Sequence, residues 1–187
     1  MQKAILENGT NNQDTKRAAF FRARLPIEYH PQSASLTNAG EYGRQVLDWI
    51  QLDTLKKISE RSVVLEVVGK SANARDIFYL AARAMMLRSV ALRCCFASDL
   101  LYDRIGLAMG DEVMEKGVLA IDKMGWAEKS FFTAENTYDV EVFLEKWLNS
   151  GRSLILRSEV SVSKAPQWSE EFKNYIKRKT KASFIIP

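Results

Sequence analysis

Ser62-Val63-Val64-Leu65-Glu66-Val67-Val68 leads straight into Gly69-Lys70-Ser71-Ala72-Asn73-Ala74-Arg75-Asp76, and this stretch decides how the rest of the chain is read. Its first half is short and rich in valine, which suits a strand buried by its neighbours. Its second half is a glycine followed by small and polar residues. From Arg75 to Val90, apolar Ile77, Leu80, Ala81, Ala84, Met85 and Leu87 then recur at helical spacing. A strand, a glycine turn and a helix in this order make the repeating unit of a parallel sheet.

Outward from this unit the alternation continues. Toward the C-terminus, Ala91–Phe96 reads as a second strand, and Ser98 as the N-cap of a helix over Asp99–Met109 with Leu100, Leu101, Ile105 and Leu107 apolar. Gly117–Ile121 is a third strand ending in Asp122. A helix over Tyr138–Leu148 turns Val140, Val142, Phe143 and Trp147 inward and is closed by Ser150-Gly151. Ser153–Leu156 is a fourth strand, Trp168–Lys179 a last helix and Ala182–Ile186 a last strand. Toward the N-terminus, Val46, Leu47, Ile50, Leu52 and Leu55 fall near helical spacing in Glu41–Ser59. Residues 18–40 mix aromatics with Pro26 and Pro31 and read as an irregular arm lying on the domain; residues 1–17 are polar and read as a flexible tail. The expected fold is therefore α/β: a mostly parallel five-stranded sheet with helices on both faces, one domain over 18–187. Ligands in such sheets bind beyond the carboxyl ends of the strands, here Val68-Gly69 and Ile121-Asp122.

Composition narrows the classes. The 187 residues are 47% hydrophobic and 27% charged, as in soluble globular chains. A chain of this length buries about 70% of its unfolded surface and needs no disulfide or metal to fold. Cys94 and Cys95 are adjacent in an apolar stretch, a poor basis for a structural bridge, so a reducing, cytoplasmic setting is expected. His30 is the only histidine, which excludes a His-rich metal site. Met1–Asp14 lacks an apolar signal core and no run of about 18 apolar residues exists, so no membrane partner is expected. The formal charge of +4 is uneven, since residues 150–187 carry 8 basic and 3 acidic side chains. The excess lies in Lys173, Lys177, Arg178, Lys179 and Lys181, a cluster that attracts polyanions, nucleic acid first. The plain alternative is a solvated helix end whose lysines favour the negative end of the helix dipole.

The glycine turn has the outline of a phosphate-binding loop, Gly-x-x-x-x-Gly-Lys-Ser/Thr, whose glycines let backbone N–H groups wrap phosphates, whose lysine neutralises charge and whose hydroxyl holds magnesium. Gly69 keeps the first glycine. Ala74 replaces the second, Arg75 the lysine and Asp76 the hydroxyl, the last placing negative charge where a triphosphate would lie. Lys70 and Ser71 stand inside the loop, and Lys70 is placed to compensate for the missing lysine. Gly117-Val118-Leu119-Ala120-Ile121-Asp122 reads as the matching magnesium-binding strand, but the acid that would follow Asp122 is Lys123. An ordinary strand turn, with Asp122 capping a strand end, explains the same residues without a ligand.

Together these segments resemble the DnaC/IstB-like helicase loaders of the AAA+ class, over roughly Arg22 to Pro187. Arg24-Leu25-Pro26-Ile27-Glu28-Tyr29 is similar to the arm before the first helix of that family, and Phe96-Ala97-Ser98-Asp99-Leu100-Leu101 to the segment after its second strand. Ser62–Asp76 and Val118–Gly125 stand at its Walker A and Walker B positions. Ser150–Glu159 resembles its fourth strand, with Arg157 and Glu159 where the family has the Thr and Asn of Thr-Ser-Asn, the Asn being sensor 1. Arg178 is nearest to where the family carries arginines that reach a neighbour's nucleotide. The resemblance implies a P-loop (AAA+/RecA-like) sheet without a lid domain, and a replicative helicase, another AAA+ protein, DNA or further copies of the chain as partners.

The departures from the family pattern fall on its catalytic points. They imply a pseudo-ATPase adaptor or regulator in DNA replication, not an enzyme, with a degenerate nucleotide site at Gly69, Lys70, Ser71, Arg75, Asp76 and Asp122. No resident cofactor is expected; ATP or ADP with magnesium are the ligands to test. Two other classes stay open: a divergent ATPase using Gly69, Lys70, Ser71, Arg75 and Asp122, and a nucleic-acid-binding assembly protein on the same fold. The remaining conspicuous side chains have structural explanations. Trp49, Trp126, Trp147 and Trp168 are spread over several elements and suit core or subunit contacts; Phe20-Phe21 suits a staple of the arm, Met85-Met86 core filling, and Asp111, Glu112 and Glu115 a solvated turn. His30 belongs to a polar arm.

Overall fold

The computed structural model of the chain describes residues 15–31, 33–50, 62–88, 90–102, 117–124 and 133–187. Five strands, β1 (Val64–Val68), β2 (Leu92–Phe96), β3 (Val118–Asp122), β4 (Ser153–Ser158) and β5 (Thr180–Ile185), form one parallel sheet in the order β2-β3-β4-β1-β5. The helices are α1 (residues 15–22), α2 (Gly40–Trp49), α3 (Ala72–Met86), α4 (Asp99–Tyr102), α5 (Ala134–Asn149) and α6 (Glu170–Lys179). No described helix is long and apolar enough to cross a membrane.

The order explains the valine-rich run. β1 lies between β4 and β5 and is buried along its whole length, so neither of its faces needs polar residues. The strand period of two divides the core. Leu65, Val67, Cys94, Ala120 and Ile155 turn to one face, under α2, α3 and the arm residues Phe20, Leu25, Tyr29 and Leu36. Val64, Leu119, Ile121, Leu154 and Leu156 turn to the other, under Leu144 and Trp147 of α5 and Phe172 and Ile176 of α6. Glu66, in mid-strand on that second face, is buried because it accepts hydrogen bonds from the Val162 N–H (2.9 Å) and the Ser161 hydroxyl (2.8 Å).

Several boundaries differ from the sequence expectation for local reasons. α3 begins at Ala72, three residues before Arg75, because Ser71 caps it: the Ser71 Oγ accepts from the Ala74 N–H at 3.2 Å. The arm is more regular than its prolines suggest. Residues 15–22 are helical, where the end of the tail and the start of an irregular arm were expected, and Arg24 in the left-handed region (φ 55) turns the chain out of that helix. The Ala23 carbonyl then accepts from the Cys94 N–H (2.7 Å), so the arm covers part of the exposed side of edge strand β2. His30 is not in a polar setting: its ring packs 5.3 Å from Phe20 and 4.8 Å from Phe21. Glu141, rather than Val142, is turned inward on α5, where it accepts from the Ser169 N–H and hydroxyl at the start of α6. Trp147 and Trp168 are core residues and Trp49 is partly buried against the core. Cys94 and Cys95 are free and buried, and burial raises both thiols, Cys94 to about 12. The expected tail over 1–14, the helix continuations at Leu52, Leu55, Ile105 and Leu107, the acidic turn 111–115 and Trp126 lie outside the described residues.

Candidate functional site

The carboxyl ends of β1, β3 and β4 meet at the N-terminal end of α3. Period-two alternation sends Asp122 to the face of Ala120, and Arg157 to the face of Ile155, which is the α3 face. The two side chains meet there in a buried ion pair, the Arg157 Nε donating to Asp122 Oδ1, with both side chains no more than 3% exposed. Tyr79, on α3, donates its hydroxyl to Asp122 Oδ2 at 2.8 Å. Lys123 adopts a left-handed backbone (φ 58) and its N–H closes on Asp122 Oδ1 at 2.7 Å. Both carboxylate oxygens of Asp122 are therefore engaged by protein donors. Burial, then the Asp122 charge, pushes the Tyr79 hydroxyl far above its ordinary value, so it stays a donor at all physiological pH.

The phosphate-loop residues are arranged differently from the wrapping loop their spacing suggests. Only Gly69, Lys70 and Ser71 lie between β1 and α3. Ala72, Asn73 and Ala74, expected in the loop, join Arg75 and Asp76 in the first turns of the helix. The Gly69 N–H donates to the Ser158 carbonyl (2.8 Å), and the Ile186 N–H donates to the Val68 carbonyl (2.8 Å). Gly69 is required by this crossing, because a Cβ there would stand 2.2 Å from the Ile186 carbonyl oxygen. Among the N–H groups that a phosphate would use, that of Ala74 is bonded to the Ser71 hydroxyl and that of Arg75 to the Ser71 carbonyl. Lys70, 68% exposed, pairs with Glu159 at 2.8 Å, which joins the loop lysine to the residue at the sensor position.

Arg75 and Asp76 line an open hollow of about 530 Å³ between α3 and the arm, together with Glu28, Tyr29 and Asn73. Tyr29 donates to Asp76 Oδ1 at 2.7 Å and stacks on Tyr79 with ring centroids 5.0 Å apart. The chain Asp76–Tyr29–Tyr79–Asp122–Arg157 is thus continuous from the arm to the sheet. Neither tyrosine, nor the partnership of Arg157 with Asp122, was read from the sequence. The available signal was Arg157 itself: a guanidinium ending the apolar run Leu154-Ile155-Leu156 must find an acid, and Asp122 ends a nearby strand. No cluster of three metal-ligating side chains occurs among the described residues.

The basic cluster at the C-terminus is divided. Lys177, Arg178 and Lys181 are exposed. Lys173 pairs with Glu170 at 2.7 Å, and Lys179 donates to the Ser62 hydroxyl at 2.6 Å and lies over the Tyr175 ring.

No family model matches the chain, and no curated protein matches it. Solved structures do. The replication initiator DnaA bound to AMPPCP and single-stranded DNA is similar with a TM-score of 0.59 at 14% identity, over 87% of this chain and 50% of that one. The DnaC helicase loader gives 0.56 at 12% identity, over 87% of this chain and 100% of that one. Domain III of the Thermotoga maritima replication initiation protein DnaA gives 0.55 at 12%, over 82% and 68%. The chain spans about half the length of the initiator structures that head the matches. At such identities the likeness is one of fold: the chain has the parallel P-loop AAA+ α/β fold found in replication initiators and a helicase loader.

Proposed function

We propose that the chain is a non-catalytic relative of the DnaC-type helicase loaders: an adaptor or regulator in DNA replication that binds a replicative helicase or another AAA+ protein. One observation carries this reading. Asp122, at the position where the fold places its magnesium carboxylate, has both oxygens taken up by Arg157, Tyr79 and the Lys123 N–H. Phosphoryl transfer in this fold needs a lysine on the phosphates, a held magnesium ion and a positioned water. Releasing Asp122 for a metal would take its ion-pair partner from the buried Arg157 guanidinium, which costs several kcal/mol. A chain that keeps the fold while spending these groups on itself acts by offering surface to a partner.

Calorimetric titration with ATP and with ADP, each with and without magnesium at millimolar nucleotide, tests the reading; the expected result is no binding heat and no phosphate release. Micromolar binding, with a turnover that Lys70→Ala abolishes, would overturn it in favour of a divergent ATPase. Sedimentation of the chain mixed with a replicative helicase tests the partner, co-migration being expected. Exposed Lys177, Arg178 and Lys181 support an added contact with DNA. Lys177→Glu with Arg178→Glu should then weaken single-stranded DNA binding and flatten its salt dependence. Unchanged binding would remove DNA from the proposal.

A further inference from the structure

A second concave feature lies at the opposite end of α3 from the strand tips. It is a hollow of about 590 Å³ between α1, the arm and the last turn of α3, lined by Lys16, Arg17, Phe20, Ile27, His30, Pro31, Ser35, Arg83 and Leu87. The volume is that of a small-molecule site. Its chemistry is lopsided. Lys16, Arg17 and Arg83 bring positive charge, and no acidic side chain among the described residues lines it.

Arg83 is the anomaly. It is only 8% exposed, and burial alone lowers its pKa, with no carboxylate among the causes. Its Nη2 donates to the Pro31 carbonyl at 2.9 Å and its guanidinium lies 5.7 Å from the Phe20 ring centroid, but its Nε is buried with no acceptor. Buried donors without acceptors are rare, and a guanidinium is a planar fork suited to an oxyanion. A second buried nitrogen also lacks a partner. His30 Nε2 lies 2.8 Å from the Leu25 carbonyl oxygen, which can only accept, so Nε2 carries a hydrogen. That leaves His30 Nδ1 as a buried acceptor without a donor, which an O–H of a ligand would satisfy. Both orphan nitrogens belong to side chains that line this hollow, whereas at the strand tips both oxygens of Asp122 are engaged.

We propose that this hollow binds a small organic oxyanion, a phosphate or carboxylate held by Arg83 with Lys16 and Arg17 at the mouth, its apolar body resting on Phe20, Ile27 and Leu87. The inference does not depend on the proposed function, because the site lies at the other end of α3 from the strand tips and uses none of their residues.

The test follows the Arg83 Nε–H signal by NMR while the full chain is titrated with phenyl phosphate, benzoate, inorganic phosphate and phenol. Phenyl phosphate or benzoate should move that signal with a Kd of about 0.1–1 mM, as expected for ligands of this size. The stronger of the two tells whether the oxyanion is tetrahedral or planar. Inorganic phosphate, which lacks the apolar body, and phenol, which lacks the charge, should each bind at least about tenfold more weakly. Arg83→Lys keeps a charge but removes the Nε donor and should also weaken binding about tenfold. Lys16→Ala with Arg17→Ala, at exposed positions that leave the core intact, should weaken it several-fold. An unmoved Arg83 signal, equal binding of phenol, or equal binding by the Lys16/Arg17 double variant would overturn the proposal.

Discussion

The two ends of α3 differ in how their charged groups are paired. At the N-terminal end, Asp122 is held by Arg157, Tyr79 and the Lys123 N–H, and Lys70 is paired with Glu159. At the C-terminal end, Arg83 Nε and His30 Nδ1 are buried and have no partner. A buried polar group without a partner costs free energy unless something outside the chain supplies one. The buried Ser158 Oγ at the strand tips is also without a partner, so the difference lies in the charged groups: Asp122 and Lys70 are paired within the chain, whereas the Arg83 Nε has no acceptor.

Breaking the closed end gives the largest expected effect. Arg157→Leu leaves Asp122 buried with its main counter-charge gone and should cost about 3–5 kcal/mol of stability, read from urea unfolding. Replacing both members, Asp122→Leu with Arg157→Leu, should recover most of that loss, because two apolar side chains leave no charge stranded. A single variant that loses less than about 1 kcal/mol would show that the pair does not close the site.

Next is the alkaline limb. Tyr79 and Tyr29 are both pushed up, first by burial and then by their hydrogen-bonded acids Asp122 and Asp76. The folded chain holds these protons more tightly than the unfolded chain. Their contribution is complete below the ordinary tyrosine value of about 10 and is lost as pH rises above it. Urea midpoints should begin to fall above about pH 8.5, where the unfolded chain's Cys94 and Cys95 ionise, and fall more steeply beyond about pH 10, where the tyrosines add their part. Tyrosinate absorbance from these two residues should appear only with unfolding, and its appearance in the folded chain would break the Asp76–Tyr29–Tyr79–Asp122 connection.

A smaller effect sharpens the account of the short loop. Ser71→Ala removes the cap that starts α3 early and should cost about 1 kcal/mol. Helix content near Ala72 can be followed by amide exchange, and retained protection there would mean that the cap does not set the boundary. The smallest effect belongs to the exposed pair. Lys70→Ala or Glu159→Ala should change stability by about 0–1 kcal/mol, and less in high salt.

The strands and most helices were legible because their signals are local. The valine run of β1, the apolar period of α3 and Asp122 at the tip of β3 can each be found in a few consecutive residues, and they imply the parallel sheet that the structure contains. The neighbourhood of the candidate residues was legible, but their pairing was not. Gly69, Lys70, Ser71, Arg75, Asp76 and Asp122 do gather near one end of the sheet, yet their spacing suggested a wrapping loop, and a serine cap converted half of that loop into helix. The arm was misjudged for the opposite reason. Its prolines signal irregularity, while the burial of Phe20, Leu25 and Tyr29 against α3 organises it from outside.

The sequence by itself determined the alternation of strands and helices, the glycine after β1 and the residue types that stand in the turn behind it, since backbone period, turn chemistry and residue type are local properties. Only the tertiary structure decided which polar groups are satisfied. Asp122 meets Arg157 across 35 residues and Tyr79 across 43, and Arg83 reaches Pro31 across 52. Such partnerships depend on strand register and on the rotation of α3 over the sheet, which are set by packing of the whole core.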